Sequence, residues 1–142
     1  MNEAATLSAG VLRVLVVDDE APARTRLRDL LGDVGAQQPN SIVGMAANGA
    51  EALRLIEDVA VDVVLADIRM PVMDGVELAR HLARLPAPPA LVFVTAYDQY
   101  AVQAFELAAV DYLLKPVRAQ RLVDALERAR ARRVPPADDV LA

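Results

Sequence analysis

The chain has 142 residues, 55% of them apolar and 25% charged, with no cysteine and a formal net charge of -5. That length fits one domain whose core can stand without staples; the lack of cysteine excludes disulfides, thiolate catalysis and zinc-thiolate sites, and the acidic balance argues against gripping a nucleic-acid backbone by bulk charge. No apolar stretch reaches the roughly 18 residues of a membrane span, and the amino-terminal residues have neither the basic start nor the hydrophobic run of a signal peptide, so a cytoplasmic protein without membrane association is expected.

Residues 1–10 show no periodic pattern and read as a flexible leader. Val11 to Val17 is a buried-strand run that passes directly into Asp18, Asp19 and Glu20. Ala23, Leu27, Leu30, Leu31 and Val34 then recur at helical spacing, with Pro22 tolerated in the first turn and Gly32 and Gly35 near the far end. Ser41 to Ala46 is a weaker strand, and Asn48 with Glu51 has the spacing of a capping box opening a helix through about Asp58. The third strand, Val61 to Ala66, ends at Asp67 and a loop punctuated by Pro71 and Gly75. Asp74 and Glu77 repeat the capping spacing ahead of a helix through Leu78, Leu82 and Leu85, which Pro86 to Pro89 stop. Ala90 to Val94 is a fourth strand ending at Thr95. Asp98 is expected to cap a short helix with Ala101, Val102 and Phe105 inward. Val110 to Leu114 is a fifth strand ending at Lys115 and Pro116, and the last helix presents Leu122, Val123, Leu126 and Ala129 inward. Strict alternation of strand and helix predicts a single α/β domain over 11–132, a doubly wound, flavodoxin-like (βα)5 fold with a parallel five-stranded sheet in the order 2-1-3-4-5.

Open parallel sheets bind ligands outside the carboxyl ends of their strands. Asp67 by itself could serve merely to cap a turn. However, Asp18 and Asp19, Asp67, Thr95 and Lys115 all follow strands, so a parallel sheet brings them to one edge. Clustered carboxylates repel one another unless a cation compensates, which implies a hard divalent ion with oxygen ligands, Mg²⁺ by preference or Mn²⁺. Such a site leaves Asp67 able both to touch the ion and to attack phosphorus, with Lys115 and Thr95 as donors to phosphoryl oxygens.

These motifs, Val17-Asp18-Asp19-Glu20, Asp67-Ile68-Arg69-Met70-Pro71-Val72-Met73-Asp74-Gly75, Thr95-Ala96 and Tyr112-Leu113-Leu114-Lys115-Pro116, resemble those of two-component response-regulator receiver domains. The resemblance implies that Asp67 is the phosphoacceptor for a sensor histidine kinase. It also implies that Asp18, Asp19, Asp67 and the backbone carbonyl of Arg69 hold the metal, that Thr95 and Lys115 contact the phosphoryl group, and that the Lys115–Pro116 peptide is cis. Thr95 and Tyr112 would form the switch: the hydroxyl moves inward, the ring follows, and the face made by the fourth helix, fifth strand and fifth helix changes, with homodimerisation through that face as one outcome. A half-buried strand aromatic with its hydroxyl in water is the alternative for Tyr112. The stretches Thr95 to Glu106 and Ala109 to Pro116 resemble LytTR-type receivers, whose carboxyl-terminal domain binds DNA. Residues 133–142 then read as the start of a linker to an output domain not in this chain, so DNA would be met only indirectly; a stand-alone receiver acting on a protein partner is the other reading.

His81, the only histidine, lies beside Arg80 in the third helix and is read as a partly exposed helix residue rather than a phosphoryl carrier. Arg128, Arg130, Arg132 and Arg133 suit a helix carboxyl end in solvent, or pairing with acids on the fourth helix of another subunit. Arg69 and Tyr97 each lie just beyond a site residue, where receivers tune water access to the acyl phosphate. An aspartate-nucleophile phosphohydrolase would require a second acid where Arg69 stands, and a pure interaction module would have lost an acid, Thr95 or Lys115. The expected role is therefore that of a phosphoacceptor regulatory domain, not an enzyme.

Overall fold

The computed structural model describes residues 10–132. The expected leader, except for Gly10, and the expected linker lie outside the described residues. The elements alternate as β1 (Leu12–Val17), α1 (Ala21–Asp33), β2 (Asn40–Ala46), α2 (Gly49–Asp58), β3 (Val63–Ala66), α3 (Gly75–Ala83), β4 (Ala90–Thr95), α4 (Ala101–Glu106), β5 (Asp111–Leu114) and α5 (Ala119–Arg132). All strand pairs are parallel, and the sheet order is β2-β1-β3-β4-β5, as the alternation predicts.

Position in the sheet explains the strength of each strand's pattern. β3 and β4 lie inside the sheet with both faces covered, and every residue in them is buried. β2 and β5 are edge strands with mixed burial, so β2 looked weak in sequence. A register shift between Val14 and Leu15 leaves Val43 as an extra residue in β2, a bulge of the kind common at edges.

Side chains alternate across the sheet and feed two cores. Val14, Val16, Leu65, Val92 and Val94 pack with Leu27 and Leu31 of α1 and Leu122 and Leu126 of α5. Leu15, Val17, Val64, Leu91 and Phe93 pack with Ala52 of α2, Leu78 and Leu82 of α3 and Ala104 of α4. The α4 face differs from expectation. Val102 and Phe105 are 73% and 83% exposed, and Ala104 is the one buried residue of that helix. Tyr100, Ala104 and Leu107, at spacings of four and three, are the residues that reach the core. Asp98 is not the cap either: Tyr100 holds that position, and Asp98 supplies only a backbone carbonyl to Ala101 N–H at 3.4 Å.

The starts of α1, α2 and α3 follow their sequence signals. Pro22 occupies the first turn of α1, where no intrahelical N–H bond is lost. Asn48 accepts from Glu51 N–H at 2.9 Å, while the Glu51 carboxylate reaches one residue further back than a capping box requires, to Ala47 N–H at 2.8 Å. Asp74 caps α3 through Glu77 N–H at 2.9 Å. At the far end of α5, Arg128, Arg130 and Arg132 bond within the chain while Arg128 and Arg132 stay exposed to solvent; Arg133 lies outside the described residues. Arg128 pairs with Asp111 at 2.5 Å, and Arg132 donates to Pro88 O at 3.3 Å. Arg130 donates to Gln38 Oε1, Gly10 O and Pro39 O at 2.6, 2.7 and 2.8 Å.

Candidate functional site

The carboxyl edge of the sheet is built by extending each ladder one residue past its strand. Asp18 N–H donates to Ala46 O at 3.0 Å and Asp67 N–H to Val17 O at 2.9 Å, so β1 and β3, neighbours in the sheet, deliver two adjacent aspartates. Lys115 N–H likewise donates to Thr95 O at 2.9 Å. That bond fixes the lysine backbone at the end of β5, two strands from β3, a separation of roughly 10 Å. A four-carbon stem is long enough to cover most of that gap, and Lys115 Nζ lies 2.8 Å from Asp18 Oδ2 and 3.1 Å from Asp67 Oδ2.

Both aspartates are buried, at 1% and 8% exposure, and each has a second bond. Asp18 Oδ1 accepts from Glu20 N–H at 3.0 Å, and Asp67 Oδ1 accepts from Ile68 N–H at 2.7 Å. Burial pushes the Lys115 ammonium down, but its hydrogen bond to Asp18 and the charge and hydrogen bond of Asp67 more than offset this and raise it above the usual lysine value. The lysine is therefore a fixed cation at neutral pH. Asp19 is exposed on the following loop, and one carboxylate oxygen from each of Asp18, Asp19 and Asp67 lies within 4.8 Å of the others.

Three carboxylates facing one ammonium leave two negative charges uncompensated, which is the charge of a divalent cation. The donor set is all oxygen, as Mg²⁺ and Mn²⁺ prefer. The residues present fit such an ion.

The loop after β3 is drawn tightly against the strand end. Gly75 N–H donates to Ile68 O at 2.7 Å, and a Cβ at Gly75 would meet Asp67 O at 2.4 Å and Ile68 Cα at 2.8 Å. Only glycine permits that approach. Across the loop, Gly49 N–H holds Met73 O at 2.9 Å. Between these anchors, Val72 adopts a positive φ of 69° with its side chain 81% exposed.

Thr95 ends β4 fully buried; its hydroxyl accepts from Tyr97 N–H at 3.4 Å, and it makes no bond to the acidic cluster among the described residues. The Arg69 guanidinium sits over the Tyr97 ring, 5.0 Å from its centroid, so the loops after β3 and β4 touch at the mouth of the site. Tyr112 packs edge-on against Phe93 and donates its hydroxyl hydrogen to the Tyr97 carbonyl, so this hydroxyl is not simply in water as the alternative reading had it. Burial raises the Tyr112 phenol above its ordinary value. The Lys115–Pro116 peptide is cis. His81 lies on α3, between Arg80 and Leu82, away from this edge.

Two features had no clear signal in sequence. Arg24 Nη1, in the first turns of α1, donates to Asp18 O at 2.7 Å. At the opposite edge, Arg13 grips Asp62 through its backbone N–H and two side-chain nitrogens at 2.8 to 3.0 Å.

A doubly wound parallel sheet that gathers an acidic cluster and a bridging lysine at one strand edge defines a receiver-type α/β domain. The chain belongs to the response regulator receiver domain family, whose pattern matches residues 14–127. It is 47% identical over 118 residues to the positive alginate biosynthesis regulatory protein of Pseudomonas aeruginosa, covering 83% of this chain and 47% of that protein. It is 38% identical over 120 residues to the transcriptional regulatory protein LytR of Staphylococcus aureus, covering 84% and 48%. The response regulatory domain of protein mrkE from Klebsiella pneumoniae superposes with a TM-score of 0.76 at 34% identity, covering 85% of this chain and 97% of that one. The chain thus spans about half the length of the curated relatives it matches. No helix among the described residues is long and apolar enough to cross a membrane.

Proposed function

We propose that this domain is a phosphoacceptor switch in which a sensor histidine kinase donates a phosphoryl group to Asp67. The observation that carries the reading is the Lys115 ammonium bridging Asp18 and Asp67 beside Asp19. An Asp67 carboxylate oxygen attacks the phosphorus of a phosphoimidazole, and the electron pair of the breaking P–N bond leaves on the imidazole nitrogen. Lys115 neutralises charge on the equatorial oxygens, and Thr95 supplies a hydroxyl donor once its side chain turns toward them. Asp18, Asp19, Asp67 and the Arg69 carbonyl would hold Mg²⁺ or Mn²⁺, which supplies further charge stabilisation to the transferring group.

The output runs through Thr95 and Tyr112 to the face of α4, β5 and α5, which regulates dimerisation or an attached transcriptional output of the LytTR DNA-binding kind. Relatives named as alginate and transcriptional regulators support that direction. A phosphohydrolase is disfavoured because residue 69 is an arginine lying on an aromatic ring, not an acid able to protonate a leaving group.

The test is incubation with a small phosphodonor and Mg²⁺, followed by phosphate-affinity electrophoresis of wild type and Asp67→Asn. A retarded wild-type band that Asp67→Asn lacks is expected; a retarded Asp67→Asn band, or an unshifted wild type, would overturn the assignment. Sizing with and without beryllofluoride then reads dimerisation.

A further inference from the structure

Of the three acids at the site, Asp18 and Asp67 have both carboxylate oxygens hydrogen-bonded. Asp19 differs: it is exposed, and its carboxylate has no hydrogen bond or ion pair among the described residues. Its direction is therefore set by the backbone that carries it. The peptide linking Asp18 to Asp19 is planar, so whatever holds the Asp18 oxygen also fixes the plane from which the Asp19 Cα departs. Arg24 holds that oxygen, with Nη1 at 2.7 Å. The Arg24 backbone N–H donates to Glu20 O at 3.1 Å, the first-turn bond of α1 that any residue at this position makes. The Arg24 side chain thus holds the peptide before Asp19, while Asp18 Oδ1, which accepts from Glu20 N–H at 3.0 Å, holds the peptide after it. The Arg24 guanidinium reaches a backbone oxygen rather than any carboxylate of the cluster, which is the arrangement of an orienting group.

We infer that Arg24 is a positioning residue of the divalent-cation site, holding Asp19 in its binding direction before the ion arrives. The inference rests on the reading of Asp18, Asp19 and Asp67 as that site. Two effects of Arg24 oppose each other. Its positive charge repels a cation, whereas its grip removes the freedom that Asp19 would otherwise lose on binding. Removing the side chain therefore changes affinity in opposite directions according to which effect dominates. Orientation by partners one step removed from the metal is commonly worth roughly 10- to 100-fold in affinity, whereas charge repulsion beside the exposed Asp19 is screened by water and salt, so orientation is the larger effect.

The test is calorimetric titration of the 142-residue chain with Mg²⁺, comparing wild type, Asp19→Asn, Arg24→Ala and Arg24→Lys. Electron paramagnetic resonance with Mn²⁺ serves as a second probe of the same site. We expect Arg24→Ala to raise Kd about tenfold. Arg24→Lys keeps the charge and one donor on a shorter reach, and should raise Kd by about threefold. The Asp19 backbone amide resonance of metal-free protein should move in Arg24→Ala, a signature that general loss of stability does not produce. If wild type and Asp19→Asn bind Mg²⁺ alike, the cation-site reading itself falls. If Asp19→Asn weakens binding while Arg24→Ala binds as wild type or tighter, only the positioning role falls. Should Arg24→Ala fail to fold, Arg24→Lys decides: a Kd equal to wild type overturns the inference, and a rise supports it.

Discussion

Replacing Gly75 with alanine puts one methyl group against the backbone of the proposed phosphoacceptor. The added carbon would lie 2.4 Å from Asp67 O and 2.8 Å from Ile68 Cα, both main-chain atoms, so no side chain can swing aside to relieve it. Relief requires the start of α3 and the Asp67–Ile68 peptide to part by roughly 1 Å, and overpacking of this kind costs about 1–3 kcal/mol. Parting also lengthens the 2.7 Å bond from Gly75 N–H to Ile68 O, which adds about 1 kcal/mol. With a urea dependence of about 2 kcal/mol per molar, the unfolding midpoint should fall by about 1–2 M. Displacing a reacting group by about 1 Å can cost on the order of 100-fold in rate, so phosphorylation should slow well beyond any loss of folded protein. Gly32→Ala is the control, because a Cβ at that position on α1 would meet nothing within 4 Å. There alanine should stabilise by about 0.5–1 kcal/mol through helix propensity. Urea denaturation followed by circular dichroism and phosphodonor labelling read the two effects separately. A Gly75→Ala midpoint within about 0.2 M of wild type would refute the steric argument.

Val72 is β-branched at positive φ, an arrangement that costs about 1–2 kcal/mol, so Val72→Asn should raise the urea midpoint by about 0.5 M. Asn48→Ala removes the cap of α2 and should cost about 1 kcal/mol in the same assay. Burial pushes the Asp111 carboxyl up, but its bonds to Arg121, Tyr112 N–H and Arg128 outweigh this and lower it below the ordinary carboxylate value. A depressed folded value stabilises above the unfolded value of about 3.9 and loses that contribution as pH falls through the folded value. Wild type should therefore exceed Asp111→Asn by about 1 kcal/mol at pH 7, with the gap narrowing as pH falls below about 4; a pH-independent gap would contradict the ionic origin.

The strands and the site edge were legible because both rest on strong local signals. The buried strands β1, β3 and β4 read as largely apolar runs that stop at Asp18, Asp67 and Thr95, and the edge strand β5 stops at Lys115. The helix faces of α1 and α5 followed from spacing. That of α4 did not, because a six-residue helix has too few turns for periodicity to choose between the stripe containing Phe105 and the one containing Ala104. The arginines of α5 illustrate a second limit. Composition places cations at a helix end, but the acceptors of Arg128 and Arg130 are Asp111, Gln38 and two backbone carbonyls distant in sequence, which only the closed fold brings near. Arg24 was missed for the same reason: its acceptor is a main-chain oxygen, and no residue type marks one.

The thin packing of α4 has a thermodynamic consequence. The helix contributes one buried side chain, Ala104, whereas α5 contributes five: Leu122, Val123, Ala125, Leu126 and Ala129. A six-residue segment cannot hold helical order by itself, so its local opening free energy lies near the bottom of the domain's range while that of α5 lies near the top. Amide protons of α4 should accordingly exchange by local opening, without passing through global unfolding. Coupling energies between sites are typically about 1–3 kcal/mol, enough to redistribute a marginally ordered segment and too little to dislodge a densely packed helix. In the proposed switch such a gradient in local stability would give the response a direction: α4 would yield while α5 remained the frame against which its change is read.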